Sequence, residues 1–174
     1  MLLTKPYDRT SAVNYARRWA FDRNPAFYDF SDLGGDCTSF ISQCIYAGSC
    51  QMNYTPTFGW YFISPNDRAP AWSSVPALHQ FLTANQQEGP FAEETSIDLL
   101  ELGDVIQLGD NTGRFYHSLL VTGFSAGTPL VSAHTNDAYN RPLSSYSYYT
   151  ARYLHLLGVR YQEGSEPICP DYMY

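Results

Sequence analysis

The chain has 174 residues, 44% hydrophobic and 16% charged, with a net charge of −7 at pH 7. That length fits one domain, 1–174, with a core of its own. The acidic balance and lack of a basic cluster exclude nucleic acid as partner, and the absence of any run of about 18 apolar residues excludes a membrane-spanning helix. The start, MLLTKPYDRT, turns polar after two leucines, so no secretory signal is read in it and the chain as it stands is expected to be cytoplasmic.

Residues 9–23, RTSAVNYARRWAFDR, place Val13, Ala16, Trp19 and Ala20 at helical spacing after a Thr-Ser start, which predicts a helix with one buried stripe. NPAFYDFSDLGGD breaks it. A second helix is expected from Cys37 to about Ala47, capped by Asp36, stopped by Gly48, and with Phe40, Ile41, Cys44 and Ile45 on one face. Residues 48–72 carry three prolines and no sustained period, so a long, functional loop is expected there. SSVPALHQFLTAN predicts a helix over 74–85 with Pro76 in its first turn. From residue 102 onward LGDVIQLG, RFYHSLLVTGF, PLVSAHTND and ARYLHLLGVRY are short and β-rich, which predicts adjacent antiparallel strands and an α+β plan, helices first and sheet second.

The chemistry centres on GGDCTSF, residues 34–40. A cysteine at the first position of a helix feels the positive end of the helix dipole and free backbone N–H groups, which favour a thiolate and offer donors to an oxyanion. The plain alternative is a small core residue in the stripe of Phe40, Ile41 and Cys44. A nucleophilic thiol also needs a base. His117 alternates with Phe115, Leu119 and Val121 on one strand face, and His134 alternates with Leu130 and Ser132 on the next. If the connecting turn places Phe124 opposite Gly127, His117 and His134 face each other directly, a base beside its orienter. A one-residue change of register puts His117 opposite no imidazole. His79 and His155 have no nucleophile signal nearby and are expected to be structural or solvated.

Cys37 and Cys44 lie two helical turns apart, about 10 Å, too far for a disulfide. The spacing leaves a Cys50–Cys169 bridge open. No C-x-x-C and no H-E-x-x-H occurs, so no metal site and no cofactor is expected.

LGGDCTSFISQCIYAG, MNYTPTFGWYF, NDRAPAW, LGDVIQLG, FYHSLLV and AHTNDAYNRPLSSY together closely resemble the putative amidase domain of Gram-positive bacterial proteins, over roughly residues 7–160. That family is similar to the papain-like cysteine peptidases, and to the NlpC-type and CHAP enzymes in particular. The resemblance implies a papain-like (NlpC-type) fold, with the cysteine helix packed on an antiparallel sheet that carries the base. It implies Cys37 as nucleophile, His117 as base and a polar third member on the following strand, which AHTND leaves as His134, Asn136 or Asp137. Asp36 is expected to cap the helix or assist the oxyanion, and Trp60, Tyr61 and Trp72 are expected either to line a substrate groove or to pack in the core. By the same analogy the reaction is amide hydrolysis in a peptide or peptidoglycan-like substrate. The rival readings are an acyltransferase using the same triad and a catalytically silent module that binds a wall polymer or a protein through residues 54–72.

Overall fold

The computed structural model describes residues 1–174. In chain order the elements are β1 (Leu2–Lys5), α1 (Arg9–Trp19), α2 (Cys37–Ser49), β2 (Phe62–Ser64), β3 (Asp67–Arg68), α3 (Pro70–Ser73), α4 (Val75–Ala84), β4 (Gly89–Thr95), β5 (Val105–Gly109), β6 (Phe115–Ser125), β7 (Thr128–Ala133), β8 (Ala138–Pro142) and β9 (Thr150–Gln162). The sheet has seven strands in the order β1-β9-β5-β6-β7-β8, with β4 on the other edge of β9, and every pairing is antiparallel. This is the expected α+β class. The order is less clean than helices first and sheet second, because β1 precedes the helices and pairs with β9.

The helices cover one face of the sheet. Their core joins Ala12, Tyr15 and Ala16 of α1, Phe40, Ile41, Cys44 and Ile45 of α2, and Leu78, Phe81 and Leu82 of α4 to Val105, Leu120 and Leu154 from the strands. A smaller core on the opposite face holds Ile106, Leu108, Leu119, Val121, Val131 and Ala133 beneath Leu100 and Leu143. Alternation along β5 and β6 assigns each residue to one core or the other.

α1 ends at Trp19, four residues before the expected end, and Asp8 caps it by accepting the Ser11 N–H at 3.0 Å. Its buried face is Ala12, Tyr15, Ala16 and Ala20, displaced from the expected stripe because Val13 and Trp19 sit at the margin. α2 is buried on every side, at all 13 of its residues, so it has no solvent face for a periodic pattern to mark. It runs past Gly48 and closes at Cys50, which takes φ 56° while its N–H donates to the Tyr46 carbonyl at 2.7 Å. Gly48 answers a different need: a Cβ there would lie 2.4 Å from the Tyr7 ring and 2.7 Å from the Asp8 carbonyl. It is a point of close approach and not a stop signal.

The long segment before α4 folds back on itself through β2, β3 and the short α3. Trp60 and Trp72 are fully buried, with ring centroids 5.0 Å apart, and the Trp60 indole N–H donates to Ser42 Oγ at 3.0 Å. Both belong to the core and neither lines a groove. Burying two indoles against α2 removes far more apolar area from water than a groove wall would. Tyr61 is half-buried and packs near Tyr54 at 5.6 Å. Cys50 and Cys169 form a disulfide. It closes 119 residues of sequence, and a loop of that length restricts the unfolded chain by about 4–5 kcal/mol in the chain-entropy picture.

Candidate active site

Cys37 occupies the first position of α2, 9% exposed and outside any disulfide. Gly34 and Gly35 deliver the chain to it with φ of 87° and 102°, a conformation that favours glycine. The first amide of the helix to find a carbonyl is Phe40, which donates to Asp36 at 3.0 Å. The N–H groups of Cys37, Thr38 and Ser39 have no carbonyl partner. Cys44, the other free thiol, is fully buried, and burial pushes its pKa well up. Of the four cysteines, only Cys37 combines a free thiol with a helix start.

Asp36 does not cap the helix through its side chain. Its Oδ1 accepts the Phe30 N–H at 2.9 Å and its Oδ2 accepts His134 Nδ1–H at 2.5 Å. The His134 ring stacks on Phe40, with centroids 3.8 Å apart, and its Nε2 lies 2.8 Å from the Trp19 carbonyl. Asp36 and His134 are each 1% exposed. Arg23 closes this cluster from outside. Its guanidinium donates to both oxygens of Asp137 at 3.0 and 3.1 Å, and its Nε lies 3.3 Å from Asp29 and 3.7 Å from Asp36. Burial opposes the Arg23 charge, but the hydrogen bond and charge of Asp137, with Asp29 and Asp36, outweigh it and raise its pKa.

The predicted pairing of His117 with His134 is not formed. The β6–β7 turn is Ala126-Gly127, with φ of 50° and 80°, so Ser125 opposes Thr128 and the turn sits one residue later than expected. That moves the register by two. Thr122 then bulges without a partner, which takes one back. Leu120 opposes Ser132, and continuing the register brings Ser118, not His117, level with His134. His117 is paired with Leu108, so both face the smaller core. Its ring lies 6.1 Å from that of Tyr146 and makes no hydrogen bond. Its nearest strand neighbour, Ser118, faces α2, where its hydroxyl lies 3.1 Å from Thr38 Oγ1.

Burial, and then the charge of Arg141, lowers the His117 pKa from 6.5 to about 4. The unfolded chain therefore binds a proton between pH 6.5 and 4 that the folded chain does not. Stability is fully present above pH 6.5 and is lost as pH falls towards 4, by on the order of 2 kcal/mol once partial exposure is allowed for. His117→Gln should flatten the pH dependence of urea unfolding across that window. An unchanged slope would mean the ring is not held neutral.

The remaining candidates make no direct contact with Asp36 or His134. Asn136 is exposed in the turn after β7 with φ 58°, and Asp137 is held by Arg23. His79 pairs with Glu94 at 2.6 Å and His155 with Asp104 at 2.8 Å, as structural histidines do. Sequence reasoning missed Arg23, whose partners lie 114 residues away at Asp137 and 13 away at Asp36 and carry no local signal. A groove of about 570 Å³ lies apart from Cys37, between Asn53, Phe58, Pro70, Phe81 and Gln87.

No solved structure matches this chain. An uncharacterized protein of Bacillus subtilis (strain 168), YhbB, is 35% identical over 136 residues, which cover 76% of this chain and 42% of that protein. The chain thus spans less than half the length of that relative. Residues 6–157, which include Cys37, both central histidines and most of the sheet, match the family described as "Putative amidase domain", and the chain belongs to that family.

Proposed function

We propose that the chain is a cysteine-dependent amide hydrolase of papain-like design. The observation that carries this reading is Cys37 itself: a free thiol at a helix start, beside unused amide donors and within a family described as an amidase domain. The Cys37 thiolate attacks the amide carbonyl, and the free N–H groups of the first turn hold the oxyanion. His117 takes the thiol proton and returns it to the leaving amine, and water then resolves the thioester. Three histidines have a ring nitrogen bonded to a carboxylate, which leaves His117 with its nitrogens to spare. It stands one residue from the Ser118–Thr38 contact, on the opposite face of β6. Helices on one face of an antiparallel sheet support the papain-like plan. The substrate class is a peptide amide of the kind found in peptidoglycan stems, by analogy with the wall peptidases that the sequence resembles.

One observation favours a second assignment of the base. His134 is the imidazole on the α2 side of the sheet, bonded to the neighbour of the thiol, and it becomes the base if Nε2 leaves both the Trp19 carbonyl and Arg23 Nη1, 2.8 and 3.2 Å away.

The test is mass-mapped alkylation with iodoacetamide at about pH 6, with hydrolysis of peptidoglycan digests followed in parallel. Modification at Cys37 should precede that at Cys44 and remove hydrolysis in proportion. Hydrolysis that survives full alkylation of Cys37 ends the reading.

A further inference from the structure

A row of polar side chains crosses the α2-facing side of the sheet, directly beneath the start of that helix. Gln107 of β5 is paired with Ser118 of β6 on one side and Arg152 of β9 on the other, so all three side chains share a face and a level. The contacts are continuous. Arg152 Nε donates to Gln107 Oε1 at 2.8 Å, and Gln107 Nε2 donates to Ser118 Oγ at 3.2 Å and to the Val75 carbonyl at 2.9 Å. Ser118 Oγ lies 3.1 Å from Thr38 Oγ1, which lies 3.7 Å from Cys37 Sγ. Thr38 is 1% exposed, and Gln107 and Ser118 are fully buried.

The chemistry fixes the direction of the first two links. A guanidinium can only donate, so the carboxamide of Gln107 must turn its oxygen to Arg152 and its nitrogen to Ser118, and the Val75 carbonyl demands the same orientation. Ser118 Oγ therefore accepts from Gln107. In the Ser118–Thr38 and Thr38–Cys37 contacts either atom can donate; with Ser118 as donor to Thr38, Thr38 has its own proton left to donate to sulfur, and the Gln107–Val75 bond is a side branch.

We infer that Arg152, Gln107, Ser118 and Thr38 form a hydrogen-bond row that ends on the Cys37 sulfur and stabilises its thiolate form. They are positioning residues that act through Thr38, and the inference rests on the reading of Cys37 as the reactive thiol. Stacking of the Arg152 guanidinium over Phe115, at 3.9 Å, holds the far end in place. The other charged or titratable groups around the thiol are Asp36 and His134, bonded to each other, Arg23 with Asp29 and Asp137 outside them, His117 next to Ser118, and Arg68 over Phe30.

The experiment measures the rate of Cys37 alkylation by iodoacetamide against pH in the whole chain. Thr38→Val removes the last donor and should raise the midpoint by about one pH unit, whereas Thr38→Ser keeps the hydroxyl and should leave it near wild type. Gln107→Glu keeps the shape but cannot donate to Ser118, and should raise the midpoint in the same direction. Thermal melting identifies any variant that fails to fold, and Ser118→Ala against Ser118→Thr then serves as the second pair. Midpoints unchanged in folded Thr38→Val and Gln107→Glu would overturn the inference. Hydrolysis is not the readout, so the two readings separate. Shifted midpoints in a chain that cleaves no amide uphold the row and remove the hydrolase; unshifted midpoints in a chain that does cleave remove the row alone.

Discussion

On the proposed reading, glutamine in place of His117 should lower kcat for amide hydrolysis by about a thousandfold, with KM little changed, and alanine in place of Cys37 should lower it at least as far. The magnitudes are those of losing a positioned proton carrier and a covalent nucleophile. Glutamine is the informative replacement at 117. Because burial and Arg141 hold the ring's pKa near 4, it is neutral at pH 7 and the substitution changes neither charge nor bulk there. A melting temperature near wild type combined with a thousandfold fall in kcat isolates proton transfer. Steady-state kinetics on one peptide amide decide the matter. Should His117→Gln stay within about threefold of wild type while His134→Gln does not, the base is His134.

Breaking the Asp36–His134 pair costs stability as well as activity. With both side chains 1% exposed, removing either partner leaves the other's buried hydrogen-bonding atom without it, which costs about 1–3 kcal/mol. Asp36→Ala also leaves the Phe30 N–H without an acceptor, and His134→Ala leaves the face of Phe40 uncovered. The double variant should therefore lose less than the two singles together, by about 1–3 kcal/mol of coupling. Urea unfolding of the four chains measures this. If each single change costs under about 1 kcal/mol, the pair does not anchor the start of α2.

What was legible in the sequence follows from how local each cause is. α2 and α4 could be read because their signals lie within a few residues: glycines before Cys37, a proline in the first turn at Pro76, apolar spacing between. β1 and β4 could not, because Leu2–Lys5 and Gly89–Thr95 become strands only through β9, at separations that leave no trace nearby. Cys37 stood out for its place at a helix start. The partnership of His117 with His134 did not survive, because one later turn and one bulged threonine change which face a histidine meets. Asp36 read as a cap since acids usually cap; here Phe30 and His134 claimed its oxygens first. Trp60 and Trp72 sit in an irregular segment that looks exposed in sequence, yet it folds back to bury them against α2.

A helix with water on none of its sides has no tolerant position to offer evolution. On an ordinary amphipathic helix, drift accumulates along the wet face and leaves a periodic record. α2 has 13 buried residues in succession, so a substitution at any of them meets packed neighbours, and none of its positions is expected to tolerate change as a wet face does.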